Sequence, residues 1–445
     1  MTFPMKTTRA YTLFCLFTAA CAASMMLSPL HAKEPGFREP LLPVIPQRTL
    51  AITAHGAKGD GTTDNAKAIQ ETIDSCAKAG GGTVIVPSGD YLCGPIQLAN
   101  HINLRVEKGA TLRMLPLESY PGGTKDPADF ISGKDLQDVC ISGEGTIDGQ
   151  GAAWWPLAKQ KGVNRPRMIK LSGCERILIE KITLRNSPMF HIAIGGKSSD
   201  VTVSAVTVRA PRSDDPVTPS HNTDACDVSG SNILIKDCDV SVGDDNFTCG
   251  GNTSNVFITR CTYGSGHGLS IGSYTNGGVT NFTVTDCTFT GTECGIRIKS
   301  DRDRGGVVSK LTFRNLRMTG VRYPILIYGA YNAAQREFRD YTRLTPETAA
   351  KYPAAPVTER TPVYRDITFS DITATTESGR RAGLIWGLPE APVSNVLLRN
   401  VSITADRPFG IFNAKGVRLE NCKITTPEGV NKIATTNAQV EILPR

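Results

Sequence analysis

A short hydrophobic pattern recurs along the chain from residue 177 onward. In each copy apolar side chains occupy positions 1, 3, 6 and 8, and polar residues largely lie between them. Most copies start 21 to 32 residues apart. Alternation on either side of a two-residue corner predicts a strand, a bend and a second strand, with the apolar residues all facing the same way. The nine copies begin at Ile177, Val201, Ile233, Val256, Phe282, Leu311, Ile367, Val396 and Val417.

One such coil cannot bury its own apolar face, so successive coils must stack on each other. The pattern therefore predicts an all-β chain folded as a right-handed parallel β-helix, a solenoid. A propeller is the rival architecture, but its repeats are longer and need four strands each. Upstream of the repeats, an amphipathic pattern from Asp64 to about Ala77 predicts a short N-terminal capping helix.

Residues 1–32 have the pattern of a secretory signal peptide, with basic residues at Lys6 and Arg9 followed by an apolar run. We expect a Pro-rich spacer over residues 33–47 and a single β-helix catalytic domain over residues 48–445. The protein is then secreted or periplasmic. Lipid attachment at Cys21, which follows small residues, is the alternative, and without it we expect no contact with a membrane.

The formal net charge of +7 is mild and spread along the chain. Without a long Lys/Arg tract it does not indicate a nucleic-acid partner, but positive charge lining one cleft would favour a polyanion. For a secreted protein that suggests an acidic polysaccharide. Eleven of the 13 cysteines follow the signal peptide, with no CxxC pair and no zinc-type spacing. The sequence therefore predicts no metal site, and one or two disulfides among mostly buried thiols.

The register of the repeats brings acidic and basic side chains together. Asp244 lies eleven residues after Ile233, and His267 lies eleven residues after Val256, so the two residues stack on adjacent coils. The strands that follow also align: Phe247-Thr248-Cys249, then Leu269-Ser270-Ile271, then Ile296-Arg297-Ile298. With coils roughly 4.8 Å apart, these groups fall within one cleft.

Carboxylates on neighbouring coils suit glycoside hydrolysis, in which one acid and one base flank the bond that is cleaved. A separation of roughly 6.5–9.5 Å between them implies inversion. Taken singly, Asp residues at solenoid corners more often only hydrogen-bond the backbone. The register of Asp244 with His267, Arg297 and Lys299 favours the catalytic interpretation.

These motifs resemble glycoside hydrolase family 28, the polygalacturonases and related pectin hydrolases. The resemblance covers most of the chain after the signal peptide. It rests on Asn222-Thr223-Asp224, Gly243-Asp244-Asp245, Gly266-His267-Gly268 and Arg297-Ile298-Lys299. The chain departs from the family at Ala225, where Gly is usual, and this change leaves the acids in place.

The resemblance implies that Asp244 is the general acid and that Asp224 and Asp245 together activate water. His267 then holds the acid in its orientation and protonation state. The family's substrate-binding positions match Asn222, Arg297, Lys299 and Tyr331, with the two cations binding a uronate carboxylate beside the scissile bond. No cofactor is implied, and we expect the protein to act as a monomer on a pectic polysaccharide or oligosaccharide.

Several alternatives stay open from the sequence. The resemblance leaves the substrate open between homogalacturonan, rhamnogalacturonan and substituted galacturonans. An Arg-bearing insertion between Leu311 and Ile367 favours terminal over internal cleavage if it closes the groove. A pectate lyase would use the same architecture with Ca²⁺ and an Arg base. A non-catalytic carbohydrate-binding β-helix is the remaining class, but it has no need for adjacent acids beside a histidine.

Overall fold

Parallel strands stack into the three faces of a right-handed β-helix, as the repeat predicts. A computed structural model describes residues 1–2 and 36–443. The strands are β1 (Thr49–Ala51), β2 (Asp60–Asp64), β3 (Gly82–Val86), β4 (Gly89–Cys93), β5 (Ile96–Gln97), β6 (Ile102–Val106), β7 (Ala110–Met114), β8 (Ile131–Lys134), β9 (Gln137–Ser142), β10 (Thr146–Asp148), β11 (Ile169–Ser172), β12 (Glu175–Glu180), β13 (Thr183–Arg185), β14 (Ile192–Gly195), β15 (Ser199–Ser204), β16 (Thr207–Arg209), β17 (Cys226–Val228), β18 (Ser231–Lys236), β19 (Asp239–Ser241), β20 (Phe247–Cys249), β21 (Thr253–Thr259), β22 (Thr262–Tyr263), β23 (Leu269–Ile271), β24 (Val279–Thr290), β25 (Cys294–Lys299), β26 (Val307–Val321), β27 (Tyr323–Tyr328), β28 (Val363–Thr376), β29 (Leu384–Trp386), β30 (Val393–Thr404), β31 (Phe409–Glu420), β32 (Lys423–Thr426), β33 (Gly429–Val430) and β34 (Ile433–Leu443).

The register of the coils is the predicted one. Ile177 pairs with Val201, which pairs with Ile233, and the same row continues through Val256 to Phe282. The apolar positions of all nine copies are buried, apart from the partly buried Cys422. In β24, β26, β28 and β30 the two strands of a repeat merge into one long strand, because the corner between them no longer interrupts the pairing.

A third face forms the floor of the groove that holds the candidate site. It runs from β5 through β8, β11, β14, β17, β20, β23, β25, β27 and β29 to β31. Side chains on its outer side face the groove, and those on its inner side enter the core. Loops at both ends of these strands form the walls.

The helices are short and lie outside the coils. Helix α1 (Ala66–Lys78) buries Ile69, Ile73 and Cys76 against the first coil, which confirms the predicted capping helix. It begins two residues later than expected, because Asp64 ends β2 and its carboxylate accepts a hydrogen bond from the backbone N–H of Ala66 at 3.0 Å. The others are α2 (Arg336–Arg339), α3 (Pro346–Ala350) and 3₁₀ turns at Ile52–His55, Leu117–Ser119, Gly151–Ala153 and Trp155–Leu157.

The described part of the predicted spacer is bound along the solenoid. The backbone N–H groups of Arg38, Leu41 and Val44 donate to the side chains of Asn255, Asp200 and Asp138 at 3.3, 3.0 and 2.9 Å. Each acceptor lies two coils from the next. Three residues of polyproline II chain span about 9 Å, which matches two coil spacings of about 4.8 Å.

The insertion before β28 packs over one end of the groove floor. Within residues 329–362, the tilted rings of Phe338 and Tyr352 pack with their centroids 4.7 Å apart, and the ring of Tyr352 lies 5.4 Å from that of Trp386 of β29. The same apolar cluster covers Leu326 of β27, which pairs with Arg297 one coil earlier. The groove is therefore covered beyond the coil that carries Arg297.

All eleven cysteines from Cys76 to Cys422 are free thiols, so the prediction of one or two disulfides is wrong. Strand pairing instead buries most of these small side chains in the core.

The predicted signal peptide, beyond its first two residues, lies outside the described residues, as does Cys21. Within the described ranges, no helix is long and apolar enough to cross a membrane.

Candidate active site

Three consecutive coils place the acids and the histidine at the same edge of the groove floor. Asp224 precedes β17, Asp244 and Asp245 precede β20, and His267 precedes β23. The backbone N–H of His267 donates to the carbonyl of Asp244 at 2.8 Å, which joins the two loops. This is the stacking that the repeat register predicts.

The cations come from the floor itself. Ser270 of β23 pairs with Arg297 of β25, as the sequence alignment of coils predicts. Lys299 lies two residues further along the same strand, so both side chains project into the groove. All eight predicted site residues line one cavity of about 430 Å³, namely Asn222, Asp224, Asp244, Asp245, His267, Arg297, Lys299 and Tyr331.

Asp244 is held by two of the predicted partners. One carboxylate oxygen lies 2.9 Å from Nδ1 of His267. The other accepts hydrogen bonds from the backbone N–H of Asn222 at 3.2 Å and from its side-chain amide at 3.4 Å. Burial raises the pKa of Asp244, but the hydrogen bond and charge of His267 outweigh it, and the net pKa is lowered.

Asp245 forms a buried ion pair with both cations. Its Oδ1 accepts hydrogen bonds from Arg297 and, at 2.8 Å, from the hydroxyl of Ser270, while Lys299 Nζ lies 3.1 Å from Oδ2. Burial opposes ionisation, but the charges of Arg297 and Lys299 outweigh it and hold the pKa of Asp245 well below its usual range. The predicted uronate-binding cations thus contact an acid of the site in this structure.

Asp224 has the opposite electrostatics. Its side chain is buried, with 6% exposure, and within the described chain its Oδ1 makes no hydrogen bond. Burial, followed by the charges of Asp244 and Asp245, raises the pKa of Asp224 well above its usual value. The raised pKa makes Asp224 the most basic of the three acids. Its backbone carbonyl is fixed by the N–H of His191 at 2.8 Å.

The structure adds Glu293 and Tyr341 to the predicted residues. Oε2 of Glu293 lies 3.4 Å from Nε2 of His267, and its Oε1 accepts a hydrogen bond from the hydroxyl of Tyr341 at 2.5 Å. Burial lowers the pKa of His267, but its contacts with Asp244 and then with Glu293 outweigh this, so the pKa is raised. His267 therefore lies between two carboxylates that favour the imidazolium form.

Arg165 is a further residue that the sequence does not indicate. Its guanidinium donates to the side-chain oxygen of Asn222 at 2.7 Å and to the carbonyls of Pro188 and His221 at 2.9 and 2.8 Å. Arg165 belongs to an irregular segment between β10 and β11, where no repeat pattern predicts that its side chain reaches the site. Its contacts fix the amide that in turn holds Asp244.

Asp227 provides a pH-dependent charge on the floor of the cavity. Burial raises the pKa of Asp227 from 3.8 to about 6, against the opposing charge of Lys170. Its carboxyl is neutral below that pH and negative above it. A polyanionic substrate is therefore repelled more strongly as the pH rises through about 6.

We expect KM for an oligogalacturonate to rise between about pH 5 and pH 7, and Asp227→Asn to remove part of that rise. Because the folded state binds this proton more tightly than the unfolded chain, the contribution of Asp227 to the free energy of unfolding falls as the pH rises from about 4 to 6. Urea titrations at several pH values measure that slope. Equal pH slopes of KM in the two proteins would contradict the assignment.

Asp244, Asp245 and His267 offer ligand atoms that all lie within 4.8 Å of one another, the spacing that a metal ion requires. Both oxygens of Asp245 are already engaged by Arg297 and Lys299. A divalent cation there would face two positive charges at close range. The donor set is therefore a poor match for a metal.

The chain is similar in sequence to known polygalacturonases. The sequence profile of glycosyl hydrolases family 28 matches residues 76–423. An endo-polygalacturonase of Pectobacterium carotovorum subsp. carotovorum is 30% identical over 389 residues, which cover 80% of this chain and 88% of the relative. An exopolygalacturonase of Zea mays is 31% identical over 394 residues, which cover 83% of this chain and 88% of the relative.

A solved structure is similar along almost the whole solenoid. The polygalacturonase from Erwinia carotovora ssp. carotovora aligns with a TM-score of 0.67 at 28% identity, covering 85% of this chain and 97% of that chain. The relatives with these names include both endo-acting and exo-acting enzymes.

Proposed function

Because the chain belongs to glycosyl hydrolase family 28 and is therefore a glycoside hydrolase, we propose that it cleaves the α-1,4-galacturonosyl linkages of pectin, with inversion and from chain ends. The observation that carries the proposal is the shared cavity of three acids, a histidine and two cations. Acids suit glycosidic hydrolysis, and cations suit a substrate with one carboxylate on each sugar.

In the proposed reaction Asp244 donates a proton to the glycosidic oxygen as the bond to the anomeric carbon breaks. Asp224 and Asp245 together activate a water molecule, which attacks that carbon from the opposite face and passes its proton to Asp224. The contact between Asp244 and Nδ1 of His267 supports the first role, because the imidazolium can supply the proton. The free Oδ1 and raised pKa of Asp224 support the second.

We assign Arg297 and Lys299 to a uronate carboxylate beside the scissile bond. A planar guanidinium binds a carboxylate through two parallel hydrogen bonds, and the ammonium adds a mobile point charge. Tyr331 lies with its ring centroid 5.4 Å from Lys299 Nζ and limits the movement of that side chain. In this role the cations bind substrate while keeping Asp245 ionised.

The covered end of the groove supports terminal cleavage. The insertion covers the floor beyond Arg297, whereas the opposite direction leads to a second hollow of about 430 Å³ lined by Lys134 and Lys170. A chain that enters from the open side cannot continue past the covered end. We therefore expect single sugars to be released from a chain end.

A product time course on polygalacturonate and on rhamnogalacturonan tests the substrate and the mode of attack. Early monogalacturonate with slow loss of viscosity is the expected result. A rapid fall in viscosity with mixed oligomers would show internal cleavage. Activity on rhamnogalacturonan alone would instead identify a rhamnogalacturonan hydrolase of the same family.

Hydrolysis is expected to persist at an unchanged rate in excess chelator, because Arg297 and Lys299 already neutralise Asp245. Initial rates of reducing-end release with and without EDTA measure this. A strict requirement for calcium, with an ultraviolet-absorbing unsaturated product, would establish lyase chemistry and contradict the proposal.

The sequence pattern of residues 1–32 supports export, and we extend the proposal to a secreted or periplasmic monomer acting on cell-wall pectin. The exported protein would then begin at Lys33. N-terminal sequencing of the processed protein checks that position. A protein that begins at a lipid-modified Cys21 would instead be anchored to a membrane.

A further inference from the structure

Tyr274 is a large aromatic residue exposed inside the catalytic cavity. It follows β23 in the loop that leaves the groove floor, and 62% of its surface is exposed. It lines the same cavity as Asp244 and Asp245. Most exposed aromatic side chains of a soluble protein need no special explanation, but one inside a ligand cavity contributes directly to what that cavity binds.

The ring of Tyr274 is supported from one side. The guanidinium carbon of Arg304 lies 4.3 Å from the ring centroid. Arg304 is itself fixed, because it donates to the hydroxyl of Ser273 at 3.0 Å and its carbonyl accepts from the N–H of Thr275 at 2.8 Å. One face of the ring is thus covered while the residue as a whole stays exposed.

The backbone of Tyr274 is also fixed. Its carbonyl accepts a hydrogen bond at 2.8 Å from the N–H of Gly251, on the loop that leaves the preceding coil. A side chain on a fixed backbone, with its ring held by a guanidinium, loses little conformational entropy when a ligand binds. This is the preorganisation that a binding surface needs.

Tyr274 lies on the wall opposite the acids. Asp244 and His267 precede their strands, whereas Tyr274 and Tyr331 follow theirs, so the two groups face each other across the floor. Tyr331 lies two coils beyond Tyr274, or roughly 10 Å. That distance exceeds one pyranose ring, so the two tyrosines contact different sugars.

We propose that Tyr274 is a platform for the nonpolar face of a pyranose ring of the bound galacturonan, at a sugar position next to the one held by Arg297 and Lys299. The axial and ring C–H groups of galacturonate form an apolar face that stacks on an aromatic ring. The inference rests on the proposed pectic substrate. It assigns to Tyr274 a contribution to affinity and not to the chemical step.

The test compares Tyr274→Ala, Tyr274→Phe and the native enzyme on trigalacturonate and longer oligogalacturonates. A stacking platform predicts that Tyr274→Ala raises KM about 5- to 20-fold with little change in kcat, and that Tyr274→Phe restores native KM because the ring is kept. Val430→Ala, an exposed residue of β33, is the control and leaves both constants unchanged.

An unchanged KM in Tyr274→Ala would overturn the inference. An equal rise in KM in the Tyr274→Ala and Tyr274→Phe variants would also overturn it, because it would indicate a contact of the hydroxyl and not of the ring. A fall in kcat at constant KM in Tyr274→Ala would overturn it as well. Calorimetric titration of trigalacturonate into Asp244→Asn, with and without Tyr274→Ala, measures binding independently of turnover.

These outcomes separate the inference from the proposed function. A native enzyme that neither cleaves nor binds oligogalacturonates overturns the substrate assignment, and the inference with it. A native enzyme that cleaves them with unchanged constants in Tyr274→Ala overturns only the platform. Thermal unfolding of each variant is measured alongside, and equal midpoints show that the exposed ring is not needed for the fold.

Discussion

Asp244→Asn is expected to lower kcat on a pectic oligosaccharide by a factor of about 10² or more, while affinity for the substrate changes little. The amide has nearly the same shape as the carboxyl group but cannot donate the proton that the leaving oxygen requires. It also keeps an oxygen that can accept the hydrogen bonds from Asn222. Steady-state kinetics and calorimetric titration of the same variant measure the two quantities.

The pKa shifts bear on which acid carries the proton. The pKa of Asp244 is lowered, chiefly by His267 acting against burial, whereas burial and neighbouring charges raise the pKa of Asp224. A lower pKa makes Asp244 the stronger acid, and a higher pKa makes Asp224 the stronger base. The reactive form, with Asp244 protonated and Asp224 ionised, is then less populated than the form with the proton on Asp224.

A dinitrophenyl galacturonide separates the two roles, because its acidic phenol departs as the anion without protonation. Asp244→Asn is expected to recover most of its lost rate on this substrate, and Asp224→Asn is not. Asp303→Asn, an exposed acid in the loop after β25, is the matched control with native rates on both substrates. Recovery by Asp224→Asn in place of Asp244→Asn would reverse the assignment, and near-native turnover of Asp244→Asn on oligosaccharides would refute it.

Arg297→Met is expected to abolish measurable activity and to lower the free energy of unfolding by about 3–5 kcal/mol. The side chains of Arg297 and Asp245 are only 7% and 5% exposed, so removing the cation leaves a carboxylate buried without its main partner. Lys299 remains as a second partner, at 3.1 Å, and limits the loss. Urea denaturation and reducing-end assays measure the two effects.

A triple variant distinguishes the two consequences of that change. Arg297→Met combined with Asp245→Asn and Lys299→Met removes all three buried charges, so much of the lost stability is expected to return while activity stays absent. Equal stability of the single and triple variants would contradict the ion-pair explanation. Substantial activity in either variant would show that the cation does not bind substrate.

The course of the solenoid is predictable from sequence because its apolar rows are periodic. The row that begins at Ile177 and Val201 predicts both the burial and the coil-to-coil pairing that the structure shows. The same register predicts that Ser270 and Arg297 are neighbours, which the pairing of β23 with β25 confirms. Periodicity thus predicts which residues share a cavity.

Periodicity does not predict how side chains pair within that cavity. Arg297 and Asp245 both face the groove, but only their geometry shows that the cation contacts the acid. Glu293 lies 3.4 Å from His267, and its other carboxylate oxygen accepts a hydrogen bond from Tyr341, which belongs to an insertion without any repeat. The fold of such a segment depends on tertiary packing, here on Trp386 and its neighbours, and not on local sequence.

The N-terminal segment shows a similar limit. Its prolines suggest a spacer, yet the N–H groups of Arg38 and Leu41 match the spacing of acceptors on the solenoid. The acceptors Asn255 and Asp200 have positive φ angles, 55° and 53°, at the corners of their coils. Only the stacked structure aligns these corners in one row.

The most direct test of the proposed function is proton NMR of the first product released from oligogalacturonate. Inverting hydrolysis at the acids of the cavity predicts a saturated galacturonate whose β-anomer signal appears first and then declines as mutarotation forms the α-anomer. Early α-anomer would show retention and contradict the roles of Asp224 and Asp244. An unsaturated product would contradict hydrolysis itself.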